Sequence, residues 1–123
     1  MFEGFLEKKE DERGYLVEAF KIPGVGEVFY SISKPGVTRG NHYHNRKIEY
    51  FCVIEGEGLI KLRNRADGEI KEYQVSGSKP QVVAMTVNWT HNIKNVGSDE
   101  MELLIWANEV FDPADPDTFA EEV

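Results

Sequence analysis

The chain has 123 residues, 41% of them hydrophobic and 29% charged, which predicts a single globular domain over residues 1–123. Its formal net charge of −8 argues against DNA or RNA as a partner, because nucleic-acid binding requires clustered Lys and Arg. The sequence has no apolar run of membrane-spanning length, Met1–Glu12 is too charged for a signal peptide, and Cys52 is the only cysteine. We therefore expect a cytoplasmic protein without a membrane partner.

Short segments with alternating apolar and polar residues recur along the chain, with turn residues such as Pro35-Gly36 and Asp67-Gly68 between them. Strands are predicted at Tyr15–Phe20, Glu27–Ser33, Gly40–His44, Glu49–Ile54, Gly58–Asn64, Ile70–Val75, Val82–Met85, Thr90–Asn95 and Met101–Asn108. The segment Phe111–Val123 is predicted to be an extended or turn-rich arm, with one helical turn allowed at its end. Many short strands favour a sandwich or a closed antiparallel barrel, since closure removes exposed sheet edges.

The three histidines and one glutamate form a candidate metal site. His42 and His44 are two residues apart, so on a strand both imidazoles project from the same face. Glu49 begins the next predicted strand, and barrel closure would bring His91 opposite the pair. Three imidazoles and one carboxylate suit zinc, iron, manganese, nickel or copper, with room for water or substrate.

The alternative is that these side chains are ordinary packed or surface residues. A lone histidine in a strand is usually such a packed or surface residue. Glu49, however, begins a strand that is otherwise apolar over Tyr50–Ile54. If Glu49 faces inward with Phe51 and Val53, its charge must be paired or bound to a metal, because burying it alone costs several kcal/mol. The sequence therefore favours the metal site.

The spacing of these residues resembles the two motifs of the cupin superfamily. The first motif matches at Gly36-x5-His42-x-His44-x4-Glu49-x6-Gly56, and the end of the second at His91-x3-Asn95. This resemblance implies an all-β, single-domain cupin, a jelly-roll barrel or double-stranded β-helix. It also implies one divalent metal ion held by His42, His44, Glu49 and His91, with zinc expected and iron, manganese or nickel as alternatives.

One departure from the cupin pattern lies just before His91. Cupins usually have Pro-x-Gly there, whereas this chain has Thr86-Val87-Asn88. Asparagine tolerates positive φ better than most residues, so we expect Asn88 to replace the glycine.

A closer resemblance extends over nearly the whole chain. One stretch has the pattern Lys34-Pro35-Gly36-x-Thr38-x-Gly40-Asn41-His42-x-His44-x2-Lys47-x-Glu49-x-Phe51. It resembles the C-terminal cupin domain of the bifunctional UDP-sugar epimerase/reductase of bacterial capsular polysaccharide synthesis. The tail Asn108-Glu109-x-Phe111-Asp112-Pro113-x2-Pro116-Asp117-Thr118 continues it. The resemblance implies C3 epimerisation of a UDP-4-keto-6-deoxy-N-acetylhexosamine through an enolate, for a capsular or surface polysaccharide precursor.

A second signature lies near the N-terminus. Asp11-x-Arg13-Gly14-x3-Glu18 is similar to the N-terminal signature of the sugar-nucleotide cupins, including dTDP-4-dehydrorhamnose 3,5-epimerase. In those proteins the Arg and Glu contact the nucleotide, which implies that Arg13 and Glu18 bind substrate. The alternative is a turn with a salt bridge.

The remaining site residues are expectations from position and family motif. Lys47 matches the motif and is the candidate catalytic base, with Tyr43, Tyr50 and metal-bound water as competitors. Arg39 and Asn41 are predicted to bind substrate, although on a regular strand they would face away from the histidines unless a bulge redirected them. They could otherwise serve a dimer interface.

Two partners are expected besides the nucleotide sugar. A homodimer is predicted through an outer sheet face that would carry Phe29, Tyr50 and Cys52. A separate NAD(P)-dependent reductase is expected, since this chain contains no Gly-x-Gly-x-x-Gly. Two alternative functions remain open, a non-catalytic sugar-nucleotide-binding cupin and a metal-dependent cupin oxygenase.

Overall fold

The computed structural model describes residues 3–123, which form two antiparallel sheets and contain no helix long and apolar enough to cross a membrane. The strands are β1 (Lys9–Asp11), β2 (Gly14–Ile22), β3 (Gly26–Ser33), β4 (Thr38–Tyr43), β5 (Glu49–Glu55), β6 (Glu57–Asn64), β7 (Ile70–Ser76), β8 (Val82–Met85), β9 (Trp89–Asn95), β10 (Met101–Ala107) and β11 (Phe119–Ala120). The six-stranded sheet has the order β1-β2-β3-β10-β5-β8, and the five-stranded sheet has the order β11-β4-β9-β6-β7. This arrangement confirms the predicted all-β jelly roll.

All nine predicted strands are present, and two short ones were not predicted. β1 pairs with β2 in a hairpin, but its sequence Lys-Glu-Asp is charged and exposed, so it lacks the alternation by which strands are recognised. β11 pairs with β4, which joins Phe119 to Tyr43 and Ala120 to His42. The end of the chain therefore adds an edge strand beside the histidine strand instead of the helical turn that the sequence allowed.

The core lies between the two sheets and is built by strict alternation along the central strands. Along β5, for example, Phe51 and Val53 are buried while Tyr50 is exposed. The buried apolar residues are Phe51, Val53, Ile60, Leu62, Val75, Val83, Met85, Ile93, Met101 and Leu103. Glu49 lies on the same inward face of β5, as predicted, and is buried.

A β-bulge in β4 determines which residues of that strand face inward. The register with β9 shifts between Gly40 and His42, and Asn41 has a φ of 58°. Gly40 has a φ of 96°, and a Cβ there would lie 2.9 Å from the carbonyl oxygen of His91. The bulge leaves Arg39 opposite Ile93 and His42 opposite His91, two inward-facing residues of β9. Arg39 and His42 consequently face the same interior.

Candidate metal centre and adjoining cavity

His42, His44, Glu49 and His91 converge at one point inside the barrel. Each offers one ligand atom, and these atoms all lie within 4.8 Å of one another. Two ligands on opposite sides of a metal ion are about 4.2 Å apart when each bond is about 2.1 Å long. The four residues are therefore close enough to bind a single ion after small side-chain movements.

His44 is held at both ring nitrogens. Its Nδ1 lies 2.7 Å from the main-chain oxygen of Asp117, and its Nε2 lies 2.7 Å from Oε1 of Glu49. A carbonyl oxygen only accepts hydrogen bonds, so Nδ1 carries the hydrogen and donates it to Asp117. Nε2 is then the nitrogen available to a metal, and metal binding requires the proton between Nε2 and Glu49 to leave.

His91 has a ring nitrogen without a hydrogen-bond partner among residues 3–123. The residue is fully buried, and its Nε2 makes no hydrogen bond of normal geometry with any residue in 3–123. This atom lies 3.5 Å from Oε1 of Glu49. A buried nitrogen without a hydrogen bond is costly, whereas binding to a metal would satisfy it. The orphaned nitrogen therefore fits a metal ligand.

The charge states of the cluster also suit a metal. Burial is the main cause that lowers the pKa of His42 to about 3, against the opposing charge of Glu49, so this imidazole is neutral at pH 7 as a ligand must be. Burial opposes ionisation of Glu49, but its contacts with His44 and His91 outweigh that effect and lower the pKa of this carboxyl group well below its usual range. The donor set is compatible with zinc, and with iron, manganese or nickel.

A cavity of about 310 Å³ opens beside the cluster. His42 and Glu49 line one part of it, and Arg13 and Arg39 line another. The remaining wall is mostly apolar and includes Leu16, Phe29, Phe51, Ile93, Leu103 and Ile105. A cavity of this size with a few polar groups is typical of a small-molecule site.

Arg39 is the cation that faces this cavity without a carboxylate partner among residues 3–123. Its guanidinium donates hydrogen bonds to Oγ of Ser33 at 2.6 Å and to the carbonyl oxygen of Ile32 at 3.1 Å. Burial and the nearby charge of Arg13 lower the pKa of Arg39. Arg13, by contrast, is neutralised by Asp11 through bonds of 3.1 Å and 2.7 Å. Arg39 is therefore the better placed of the two to bind an anionic group.

Two residues expected at the substrate site do not reach the cavity wall. Glu18 forms ion pairs with Lys9 at 2.8 Å and with Lys21 at 3.0 Å. Asn41 faces away from the histidines, as it would on a regular strand, and its Oδ1 accepts a hydrogen bond from Asn92 at 2.9 Å. The structure thus brings Arg13 and Arg39 to the cavity, and gives Glu18 and Asn41 other partners.

Lys47 also lies outside the cavity wall. We define residues 108–123 as the C-terminal arm. The buried Lys47 directs its Nζ at this arm, 3.4 Å from the carbonyl oxygen of Pro116 and 3.5 Å from Oγ1 of Thr118. Its Nζ also lies 5.8 Å from the centre of the Phe111 ring. The ammonium group of Lys47 is thus engaged by the arm.

The other predicted aromatic and interface residues divide between the two faces. The Tyr43 ring stacks on Phe119 at 5.2 Å, and Tyr50 is exposed on the outer face of the six-stranded sheet, so neither faces the cavity. Phe29, expected on the outer face, lines the cavity instead. Its strand turns Glu27, Phe29 and Ser31 inward, although the opposite face of that strand is the more apolar one.

The sequence reasoning missed Asp117 and Glu27. The carboxylate of Asp117 accepts hydrogen bonds from the backbone N–H groups of Asn45, Arg46 and Lys47 at 3.0, 2.9 and 2.8 Å. Glu27 is fully buried, and accepts a bond from the N–H of Phe111 at 2.9 Å. The period-two position of Glu27 relative to Ser31 and Ser33 was a signal for its inward direction, whereas the partners of Asp117 left no local signal.

Comparison with known proteins agrees with this architecture. A family model described as "Polysaccharide biosynthesis C-terminal domain" matches residues 9–119. UDP-2-acetamido-2,6-beta-L-arabino-hexul-4-ose reductase from Pseudomonas aeruginosa is 46% identical over 89% of this chain, which spans only 30% of that relative's length. The probable low-salt glycan biosynthesis epimerase Agl13 from Haloferax volcanii is 27% identical over 91% of this chain and 80% of its own length.

Solved structures show the same fold. The capsular polysaccharide assembling protein CapF from Staphylococcus aureus is 48% identical, with a TM-score of 0.94, over 99% of this chain and 36% of that one. An oxalate decarboxylase is 21% identical, with a TM-score of 0.72, over 84% of this chain and 28% of that one. The latter likeness concerns the fold alone and confirms the cupin architecture.

Proposed function

Because the chain belongs to the polysaccharide biosynthesis C-terminal domain family of cupins, we propose that it epimerises C3 of a UDP-4-keto-6-deoxy-N-acetylhexosamine. In this proposal one divalent metal ion, most readily zinc, binds to His42, His44, Glu49 and His91. The product would be a precursor of a capsular or other surface polysaccharide. The relative named as a probable epimerase, which this chain matches over most of its length, supports this class of reaction.

The observation that carries the proposal is that His42 and Arg39 line one cavity from the same bulged strand. In a 4-keto sugar nucleotide, the carbonyl group and the anomeric phosphate lie on opposite sides of one ring. A site with metal ligands on one part of its wall and an unpaired guanidinium on another matches this separation of groups. Arg39, assisted by Arg13, would bind the diphosphate and so direct C3 and C4 toward the four ligands.

The chemistry requires a proton to leave C3 and to return on the opposite face. A bound divalent cation supplies Lewis acidity that stabilises negative charge on a carbonyl oxygen while the neighbouring C–H bond is broken. The apolar walls of Phe29, Phe51 and Ile105 would exclude water and strengthen this electrostatic effect. No atom is gained or lost overall, so the reaction needs no reductant.

We propose Lys47 as the group that accepts the C3 proton. Lys47 is buried and lies in the chain between the candidate ligands His44 and Glu49. To act as the base, the side chain must first lose one proton to solvent, since an ammonium group cannot accept one, and must release Pro116 and Thr118 of the C-terminal arm. Substrate binding near the arm would have to drive that release.

A non-catalytic nucleotide-sugar-binding module is the second candidate, and one observation favours it. The titratable side chains on the cavity wall are two metal ligands, His42 and Glu49, and two arginines, Arg13 and Arg39. Within residues 3–123 no additional base lines that wall. A site of this composition can bind the diphosphate and the carbonyl group of the sugar nucleotide without catalysing a reaction.

Solvent exchange separates the two candidates. The zinc-loaded protein is incubated with the 4-keto sugar nucleotide in D₂O, and the C3 proton is followed by NMR. Protein-dependent loss of that signal, abolished by Lys47→Ala but retained in Arg46→Ala, supports epimerisation with Lys47 as base. Binding without exchange overturns the epimerase and leaves the binding module. Oxygen uptake by the iron-loaded protein would instead indicate the oxygenase.

Two partners belong to the same proposal. We propose that a separate NAD(P)-dependent reductase uses the epimerised ketone, since the Pseudomonas aeruginosa relative is named as a reductase and is much longer than this chain. We also propose a homodimer through the outer face of the six-stranded sheet. On that face the pairing of β3, β10 and β5 aligns Tyr30, Leu104 and Cys52 in one row.

A further inference from the structure

The C-terminal arm approaches the metal centre most closely at Asp117. This residue is buried, with 4% of its surface exposed, and its main-chain oxygen lies 2.7 Å from Nδ1 of His44. The two residues are 73 positions apart in the sequence. The arm is also anchored on either side of this point, through Phe111 to Glu27 and through Phe119 and Ala120 to β4.

We infer that Asp117 is a positioning residue for the metal centre: its main-chain carbonyl orients His44, and its carboxylate holds the loop that leads from His44 to Glu49. The inference rests on the metal site of the proposed function but not on epimerisation. It assigns to the arm a role in metal binding besides its contribution of β11 to the five-stranded sheet.

The carbonyl of Asp117 determines which nitrogen of His44 is free. Because Nδ1–H donates to this oxygen, Nε2 is directed at Glu49 and the other ligands. A hydrogen bond of this kind fixes the tautomer and the ring orientation, and makes the ligating nitrogen a better donor to a metal. Without it, the ring could rotate or place its hydrogen on the nitrogen that must bind the ion.

The carboxylate of Asp117 holds the next part of the chain. It accepts the N–H groups of Asn45, Arg46 and Lys47, three successive residues between the ligands His44 and Glu49. This loop determines the distance and direction from one ligand to the other. Three N–H groups would lose their acceptor together if the carboxylate were removed, so the loop would lose the conformation that brings the two ligands into contact.

The backbone conformation of Asp117 allows substitutions that separate the role of its carbonyl group from the role of its carboxylate. Its φ of 49° lies in the left-handed region, which Gly, Asn and Asp adopt more readily than Ala. Asp117→Asn should retain the backbone and one acceptor oxygen, and Asp117→Gly should retain the backbone alone. Asp117→Ala removes the carboxylate and also disfavours the φ that directs the carbonyl at His44.

The test measures zinc affinity by competition with a chelator, in the absence of any sugar nucleotide. We expect the affinity to fall in the order Asn, Gly, Ala, with a 10- to 100-fold loss for Asp117→Ala, the range typical of partners that orient a metal ligand. Asp115→Asn is the matched control, because Asp115 lies on the same arm and forms an exposed ion pair with Arg46 at 3.0 Å. This control should bind zinc within twofold of the unmodified protein.

A second measurement distinguishes positioning from mere stabilisation. In the metal-free protein, the proton on Nδ1 of His44 should exchange slowly with water and give a resolved imidazole signal in ¹H–¹⁵N spectra, and Asp117→Gly should accelerate that exchange. If the Asp117 variants melt at lower temperature but keep their zinc affinity and this signal, the inference is overturned. If Asp117→Ala does not fold, the Asn and Gly variants decide. Failure of the unmodified protein to bind zinc would overturn the metal centre itself, whereas failed C3 exchange would affect only the epimerase proposal.

Discussion

Glu18 and Glu27 lie on the neighbouring strands β2 and β3, and the buried Oε2 atom of each makes no hydrogen bond of normal geometry within residues 3–123. Burial, together with the adjacent carboxylate of Glu18, raises the pKa of Glu27 to about 7. The adjacent carboxyl group of Glu27 and the ammonium groups of Lys9 and Lys21 lower the pKa of Glu18 to about 2. Between these values the pair holds one proton, which Glu27 carries.

Glu27→Gln should therefore change how stability depends on pH. The pKa of Glu27 is higher in the folded chain than in the unfolded chain, so between about pH 4.5 and 7 the folded chain binds more of this proton, and the contribution of Glu27 to stability is lost as pH rises through 7. Glutamine keeps the acceptor for Phe111 and has no proton to lose. The free energy of unfolding of the variant relative to the unmodified protein should rise by about 2 kcal/mol from pH 5 to pH 8.

Urea unfolding of both metal-free proteins at pH 5 and pH 8 measures this difference. Glu10→Gln, an exposed residue on β1, serves as the control and should show a difference that does not vary with pH. A pH-independent difference for Glu27→Gln as well would contradict the shared proton.

Removing one ligand should abolish stabilisation by metal. Zinc at 100 times its dissociation constant stabilises a folded protein by about 2.7 kcal/mol, which corresponds to a rise of several degrees in the melting temperature of a domain of this size. Glu49→Gln keeps the shape of the side chain but removes the charge, so zinc should no longer raise its melting temperature. Glu55→Gln, at the exposed end of the same strand, should respond like the unmodified protein in thermal scans with zinc or with a chelator.

Arg39→Ala should weaken the binding of UDP and of UDP-sugars by roughly 10- to 100-fold, the loss expected when a charge-assisted contact worth about 1.5–3 kcal/mol is removed. Arg39→Lys should recover only part of the affinity, because lysine lacks the planar fork. Arg46→Ala removes an exposed arginine elsewhere and serves as the control for net charge. Isothermal titration gives the three affinities, and equal values for Arg39→Ala and Arg46→Ala would mean that Arg39 does not contact the diphosphate.

Gly40→Ala should be much more destabilising than Gly36→Ala. Both glycines have positive φ, of 96° and 82°, but a Cβ at Gly40 would meet the His91 carbonyl oxygen at 2.9 Å whereas one at Gly36 meets nothing within 4 Å. Backbone strain alone should cost about 1 kcal/mol at Gly36, and the added clash should bring the cost at Gly40 to about 3 kcal/mol or more. Similar urea midpoints for the two variants would contradict the bulge.

The proposed homodimer predicts that Leu104→Lys shifts the protein to monomers in sedimentation velocity. Leu104 is exposed at the centre of the outer face of the six-stranded sheet, where a lysine would place a charge in the interface. Ile70→Lys changes an exposed apolar residue on the other sheet and should leave the dimer intact. Dissociation by both substitutions, or by neither, would argue against this face.

Local patterns in the sequence predicted those features of the fold and the site that depend on residues close together in the chain. Alternation located the nine longer strands, and the spacing of His42, His44 and Glu49 identified three groups that the structure brings together with His91. Asn88 has the expected positive φ, at 66°. In each case the relevant constraint lies within a few residues of the position itself.

What the sequence could not reveal depends on register and on distant contacts. The bulge at Gly40 shifts the register by one residue, and this shift turns Arg39 to the face of His42 while Asn41 still faces away from it. The prediction that Phe29 lies on the outer face was wrong because β3 presents its more polar face to the cavity. The environment of Lys47 is created by residues about 70 positions away, which no local pattern encodes.

The bond between His44 and Asp117 also has a consequence for the order in which the protein can be assembled. A ribosome that has passed His91 has already produced all four ligands, but the acceptor for His44 is still to come. A nascent chain at that stage could hold an ion only loosely and without a fixed tautomer. Tight loading with metal should therefore follow synthesis of Asp117, so that metal capture is not a nucleus for folding.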